Sequence, residues 1–234
     1  MNDAPRCFAL VPCAGVGARA GTTGPKQYER LGGQSVVAHT LRALAAVPEL
    51  AATLVVLAAQ DREFETQVPD FAGPRAWVAR CGGATRAQTV THGLAELRER
   101  GAAEQDWVLV HDAARCLLRP AWVQRLIGAC REDAVGGLLA LPLADTLKAA
   151  NGADGGRVQA TLPRAGKWLA QTPQMFRLGL LQRALAQAGP AVTDESSAVE
   201  ALGLAPRLVP GEIENLKLTW PADFALAARL LETR

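Results

Sequence analysis

Phe8-Ala9-Leu10-Val11-Pro12-Cys13-Ala14-Gly15-Val16-Gly17-Ala18-Arg19, followed by Gly21-Thr22-Thr23-Gly24-Pro25-Lys26-Gln27-Tyr28, is an apolar run that opens into small residues and then into charge. The run from Phe8 to Pro12, bounded by small residues, predicts a buried strand. Small residues at the carboxyl end of such a strand let backbone N–H groups approach a phosphate closely, and Arg19 and Lys26 bring positive charge to the same loop. The segment reads as a triphosphate cradle at a strand end of an α/β fold.

Two familiar phosphate loops fail here. Gly15 to Ala20 fits the dinucleotide pattern G-x-G-x-x-G/A, but that motif opens a helix, which Gly21, Gly24 and Pro25 would break. A dinucleotide site also places an acidic residue about 20 positions on at the next strand end, whereas Ser35 to Ala46 has helical spacing. A Walker A loop needs Gly before its Lys and Ser or Thr after it; here Pro25 precedes Lys26 and Gln27 follows.

At 234 residues, with 49% hydrophobic and 21% charged residues, the chain has the composition of one large globular domain, 1–234. A net charge of +2 argues against a dedicated nucleic-acid surface, so any functional cations must be gathered locally. The five cysteines, Cys7, Cys13, Cys81, Cys116 and Cys130, form no C-x-x-C pair, which predicts reduced thiols in the cytoplasm. His39, His92 and His111 lack metal-ligand spacing, so no metal site built of protein side chains is expected. No apolar run reaches the ~20 residues of a membrane span.

Strand-like runs at Phe8 to Pro12, Leu54 to Ala58, Ala76 to Ala79, Trp107 to His111, Gly137 to Pro142 and Arg207 to Val209 alternate with helical patterns. The helices fall at Val36 to Ala46, Arg86 to Glu99, Trp122 to Arg131, Leu178 to Ala188 and Ala222 to Leu231. Such alternation predicts a mostly parallel sheet flanked by helices, with ligands at the carboxyl ends of the strands. One segment departs from it. Leu143 to Lys148 and Arg157 to Leu162 flank the turn-rich 151–156 and read as a protruding β-hairpin arm, 143–166, packed on a second subunit or forming a surface flap.

The strand ends carry polar residues beyond packing needs. Gly82-Gly83, leading to a helix with Thr89 in its early turns, exposes backbone groups suited to reading a base edge. His111-Asp112-Ala113-Ala114-Arg115 sets an acid and a base past a buried strand. Thr193-Asp194-Glu195 reads equally as a helix cap. Lys217, between Leu216 and Leu218 in an alternating strand pattern, points away from its apolar neighbours. The recurrence of Arg, Lys, Thr and Gly suits phosphoryl or nucleotidyl transfer, which relies on positioning and charge neutralisation.

In this order the segments resemble the 2-C-methyl-D-erythritol 4-phosphate cytidylyltransferases over nearly the whole chain. The carriers are Ala14 to Arg19, Pro25-Lys26-Gln27-Tyr28, Gly82-Gly83 with Arg86, Val110 to Arg115, Asp145-Thr146-Leu147-Lys148, Ala170 to Gln174, Thr193-Asp194-Glu195 and Asn215-Leu216-Lys217. The resemblance implies a Rossmann-like nucleotidyltransferase fold, a homodimer joined through the arm, and Mg²⁺ held on the phosphates of CTP. It further implies Arg19, Lys26 and Lys217 as catalytic cations. Ala14, Gly15, Gly17, Gly82, Gly83, Thr89, Asp112 and Ala113 would bind the nucleotide, with Gly82, Gly83 and Thr89 reading cytosine. Asp112, Arg115, Thr172 and Thr193 would position the acceptor, with Thr146 and Arg164 reaching in from a partner's arm. Cys13, Ala20, Thr89 and Cys116 depart from the family's usual Ala, Met, Ser and Pro. A ribitol 5-phosphate cytidylyltransferase and a catalytically silent nucleotide-binding regulator are the alternatives.

Overall fold

A computed structural model describes residues 4–15, 24–151, 156–188 and 192–233. Arg19 and Gly17 lie outside the described residues. Among those described, a seven-stranded sheet forms the centre. Its strands are β1 (Cys7–Pro12), β4 (Leu50–Val56), β5 (Ala76–Ala79), β6 (Trp107–Val110), β7 (Gly136–Pro142), β10 (Trp168–Arg177) and β11 (Arg207–Pro210), in the order β11-β7-β10-β6-β1-β4-β5. Two further pairs stand apart: β2 (Arg30–Leu31) with β3 (Gln34–Ser35), and the arm strands β8 (Leu147–Ala150) with β9 (Val158–Leu162). The helices are α1 (Val36–Ala45), α2 (Phe64–Gln67), α3 (Arg86–Glu99), α4 (Pro120–Cys130), α5 (Leu178–Gln187), α6 (Glu195–Glu200) and α7 (Pro221–Glu232).

β1 pairs in parallel with β4 and β6, β4 with β5, and β7 with β11, while β10 runs antiparallel between β6 and β7. The strand cores are continuous apolar runs because both faces of the sheet are covered. Ala9, Val11 and Leu109 join the cluster that packs α1 and α4, and Phe8, Leu10 and Val110 join the one that packs α3 and α5. The expected architecture is therefore present, with the expected sheet strands and flanking helices within a few residues of their reading. No helix among the described residues is long and apolar enough to cross a membrane.

Three features depart from the expectation. β10 is a ten-residue strand where none was expected, because Gln171-Thr172-Pro173-Gln174 interrupts its apolar pattern. Its register against β7 slips there: Ala170 faces Ala140 and Gln174 faces Leu138, so three residues of β10 oppose Leu139 alone. A bulge of this kind re-aims side chains: Thr172 is buried at the end of β6, beside His111 and Asp112, and Gln171 is buried with its Nε2 donating to Glu212 O beyond β11. The segment around Lys217 is irregular rather than a strand. Leu218 N–H donates to Ala114 O, and Leu218 packs in the small core under α7, so Lys217 faces the other way without a ladder. The third departure is the arm, whose paired strands are shorter than the stretches expected, with 152–155 outside the described residues.

Candidate functional site

A cavity of about 650 Å³ opens at the carboxyl ends of β1, β4 and β6. Its walls carry Ala14 and Gly15 after β1, Gly82 and Gly83 after β5, Asp112 and Ala113 after β6, and the side chains of Lys26 and Lys217. Eight of the residues expected in the site thus come together from five separate segments. Thr89 makes a ninth and Arg86 also lines the wall.

Local chemistry explains how each is held. Lys26 opens a 3₁₀ turn, Lys26–Tyr28, after Pro25. The next two residues pin that turn: Gln27 Nε2 donates to Cys13 O at 3.2 Å, and the Tyr28 hydroxyl donates to Asp61 Oδ2 at 2.6 Å. Lys26 Nζ donates to Leu218 O at 2.9 Å, which draws the two lysine-bearing segments to the same wall. Burial, reinforced by Asp61, keeps the Cys13 thiol protonated, so no thiolate is available at this position.

The glycine pair is required by close approach. A Cβ on Gly82 would lie 2.4 Å from Ala14 Cβ and 2.7 Å from Leu57 O, and one on Gly83 would lie 2.4 Å from Gln88 Cβ. Gly82 N–H donates to Leu57 O at 2.8 Å. Thr89 is buried, accepts from Gly83 N–H at 3.1 Å and donates to Thr85 O at 2.9 Å. Its hydroxyl therefore shapes the loop first, with one lone pair left for a ligand. Thr85 caps α3 in a reciprocal box with Gln88, fixing where Arg86 begins the helix.

Asp112 is the centre of charge. Arg86 Nε donates to Oδ1 at 2.8 Å, Lys217 Nζ donates to Oδ2 at 2.7 Å, and Arg115 Nε stands 4.0 Å from Oδ2. Burial by itself would raise its pKa; Arg86, Lys217 and Arg115 outweigh burial and hold the carboxyl well below the usual carboxylate range. Arg86 is in turn gripped by both oxygens of Glu195, at 2.7 and 3.0 Å. Burial opposes its charge, and the two carboxylates more than restore it, raising its pKa.

The expected acceptor residues divide. Arg115 donates to Asn215 O at 2.6 Å and Ala170 O at 3.3 Å; it is partly buried and does not line the cavity. Thr172 is buried, with its hydroxyl shared between two scaffold groups. Because Arg115 O can only accept, His111 carries its proton on Nε2, 3.3 Å away; Nδ1 then accepts from the Thr172 hydroxyl at 3.0 Å, and that oxygen accepts from Asp112 N–H at 3.1 Å. Thr172 thus orients Asp112. Thr193 lies outside the cavity wall, its N–H donating to Ser197 Oγ, while Asp194 makes the cap. Thr146 and Arg164 are exposed on the arm, away from this cavity, and Arg164 donates to Ala144 O. Reading strand ends one at a time could not supply the Arg86 to Glu195 contact, which spans 109 positions.

Taken with the mostly parallel sheet, a glycine-lined cavity at its carboxyl edge and two converging lysines define a nucleotide-binding α/β transferase. The family model described as IspD, 2-C-methyl-D-erythritol 4-phosphate cytidylyltransferase, matches residues 7–233. The chain belongs to that family. It is 50% identical over 230 residues to the 2-C-methyl-D-erythritol 4-phosphate cytidylyltransferase of Burkholderia multivorans, covering 97% of this chain and 96% of that protein. It is 61% identical over 233 residues to the bifunctional enzyme IspD/IspF of Albidiferax ferrireducens, covering 100% of this chain and 54% of that protein, so it spans about half the length of that relative. A crystal structure of 4-diphosphocytidyl-2C-methyl-D-erythritol synthase superposes with a TM-score of 0.85 at 44% identity, covering 97% of this chain and 98% of that one. The 2-C-methyl-D-erythritol 4-phosphate cytidylyltransferase of Thermus thermophilus gives 0.75 at 31% identity, covering 96% and 98%.

His111 generates a prediction about pH. It is fully enclosed, and burial, only partly offset by Asp112, lowers its pKa from 6.5 to about 4. The unfolded chain therefore takes up a proton at higher pH than the folded one, and stability should fall as pH drops from 6.5 to 4, by up to ~3 kcal/mol. Urea unfolding at stepped pH should show that slope, and His111→Gln should flatten it between those limits. The Asp112 contribution, whose folded pKa is depressed, is lost mostly below its ordinary value of 3.8, at the lower edge of this window.

Proposed function

We propose that the chain transfers the cytidylyl group of CTP to 2-C-methyl-D-erythritol 4-phosphate, giving 4-diphosphocytidyl-2-C-methyl-D-erythritol and pyrophosphate, a step in isoprenoid precursor synthesis. The observation that carries this is the meeting of Lys26 and Lys217 across one nucleotide-sized cavity, tied by Lys26 Nζ to Leu218 O. An oxygen of the acceptor's phosphate attacks the α-phosphorus of CTP, and the bond to the β-phosphate oxygen breaks. A phosphate monoester has its second pKa near ~6, so the nucleophile is already ionised and no side chain need remove a proton. The barrier is repulsion between anions.

Each residue then has a physical task. Lys217, fixed on Asp112, faces the α-phosphate; Lys26, with Arg19 seven residues before it in sequence, neutralises the departing pyrophosphate. The Gly82–Gly83 turn, braced by Thr89 and packed too closely on Ala14, Leu57 and Gln88 for any side chain, presents its backbone to cytosine. Asp112 and Ala113 face the ribose, and Arg115, Thr172 and Thr193 support the acceptor side. The donor set fits a metal carried in on the nucleotide: the cavity's one lining carboxylate, Asp112, is already gripped by two cations, and no cluster of three or more His, Cys, Asp or Glu among the described residues could hold an ion. Mg²⁺ bound this way supplies further neutralisation of the triphosphate.

The arm supports a homodimer. β8 and β9 pair only with each other among the described strands, and a two-stranded ribbon is marginal alone in water. Val158, Leu162, Trp168 and Leu169 nonetheless expose apolar surface on and beside it, Val158 to 62%. A second copy seated there would cover that surface and could bring Thr146 and Arg164 to the acceptor.

Pyrophosphate release by purified protein with CTP and Mg²⁺ should be far faster with methylerythritol phosphate than with ribitol 5-phosphate; comparable rates would overturn the acceptor, and no turnover despite CTP binding would leave a silent binder. Lys26→Ala should lose on the order of 3 kcal/mol of transition-state stabilisation, roughly a hundredfold in kcat/KM. A near-native rate would remove Lys26 from the site. Sedimentation velocity should give a dimer that Val158→Asp with Leu169→Asp converts to monomer, and a monomeric parent chain would sink the arm's role.

A further inference from the structure

Glu195 belongs to a stretch that a helix cap explains, and the chemistry above assigns it no part. The cap is made by Asp194, whose Oδ1 accepts from Ser197 N–H at 2.9 Å. Glu195 itself is 1% exposed. Gln174 of β10 fixes its backbone from both sides, donating to Asp194 Oδ2 at 2.8 Å and accepting from Ser196 N–H at 2.7 Å. The carboxylate is thereby aimed at Arg86 and takes both terminal nitrogens of the guanidinium, at 2.7 and 3.0 Å. With the terminal nitrogens turned to Glu195, Nε donates to Asp112 Oδ1 at 2.8 Å, and Oδ2 is turned to Lys217 Nζ, at 2.7 Å. Glu195, Arg86, Asp112 and Lys217 form one file from α6 to the cavity.

Stability does not explain such a file, because apolar residues of similar volume commonly serve a fold as well as a buried ion pair. Position does. A guanidinium on the wall of a triphosphate cavity is a ready bidentate phosphate ligand, and here both of its terminal nitrogens are engaged by Glu195. We infer that Arg86 and Glu195 are positioning residues for nucleotidyl transfer: Glu195 clamps Arg86 away from the triphosphate, and Arg86 Nε fixes the Asp112 carboxylate so that Lys217 presents its ammonium to the α-phosphate. This rests on the reaction proposed above. Neither residue touches the reacting atoms.

The test compares the parent chain, Arg86→Met with Glu195→Leu, and Glu195→Gln alone. Each is assayed for pyrophosphate release with CTP, Mg²⁺ and methylerythritol phosphate, for CTP binding by calorimetry, and for thermal melting. The double variant removes the Arg86 and Glu195 charges together but also takes the Nε partner from Asp112 Oδ1, so it should melt below the parent, keep KM for CTP within about threefold, and lose at least about tenfold in kcat. Glu195→Gln loosens the clamp and should lower kcat while CTP binding holds or tightens, which a purely structural role would not produce. Parent-level kcat in either variant overturns the inference, as does a kcat loss matched by equal losses of CTP affinity and melting temperature. If the double variant fails to fold, Glu195→Gln decides on the same criteria. A parent chain that binds CTP yet turns over no acceptor overturns the reaction itself, and the inference with it.

Discussion

A carboxylate taken almost wholly out of water must be matched by cations or give up its charge. At Asp112 the matching groups come from three parts of the chain: Arg86 at the first turn of α3, Arg115 three residues after Asp112 itself, and Lys217 after β11. Satisfying one side chain therefore sets the relative positions of the base-side loop, the end of β6 and the carboxyl-terminal segment. Those three segments supply much of the cavity wall. Any displacement of one leaves buried charge uncompensated in the others, a penalty much steeper than the loss of a surface contact.

Around that centre the fold places a hydrogen-bonded polar layer where a parallel sheet would ordinarily be apolar. The antiparallel β10 and its bulge make this possible, turning Thr172 toward the end of β6 and Gln171 toward the segment after β11. Thr172 joins neutral His111 to the Asp112 amide, and Asn215 Nδ2 donates to Thr172 O at 2.8 Å and to Gln171 Oε1 at 3.2 Å. The layer leaves Arg115 Nε and Asn215 Oδ1 without hydrogen-bond partners, both immediately below the proposed acceptor side. Residues expected to touch the acceptor thus divide into those on the wall and those beneath it that hold the wall in place.

How much of this could be read from sequence follows from the range of each interaction. Strands such as Trp107–Val110 and helices such as Arg86–Glu99 are local patterns of apolar residues, and they were legible to within a residue or two. The Gly82–Gly83 turn and the lysines stood out because glycine pairs and lone cations at strand ends are conspicuous against an apolar background. β10 was illegible because a polar stretch with a proline masks its pattern, and its place between β6 and β7 is a long-range pairing. The orientation of Lys217 was right for a different reason than its alternation: burial of Leu218 and attraction to Asp112 turn it, with no ladder present. Family resemblance marked Arg86 and Glu195 as significant, but only the folded chain shows that each is the other's partner.

The two cavity lysines are anchored by unlike groups, and the difference matches the work proposed for them. Lys217 is held by an ionised carboxylate at 2.7 Å, whereas Lys26 donates to a neutral backbone carbonyl at 2.9 Å. Both bonds are charge-assisted on the lysine side, but Lys217 is also matched by an ionised carboxylate taken almost wholly out of water, so leaving Asp112 would cost Lys217 a buried ion pair, more than exchanging the Leu218 carbonyl for a phosphate oxygen costs at Lys26. An α-phosphorus that stays in place while bonds form and break is best met by the cation that stays fixed. A pyrophosphate that must depart is best met by a cation whose attraction to the charge developing in the transition state exceeds what it gives up in the ground state.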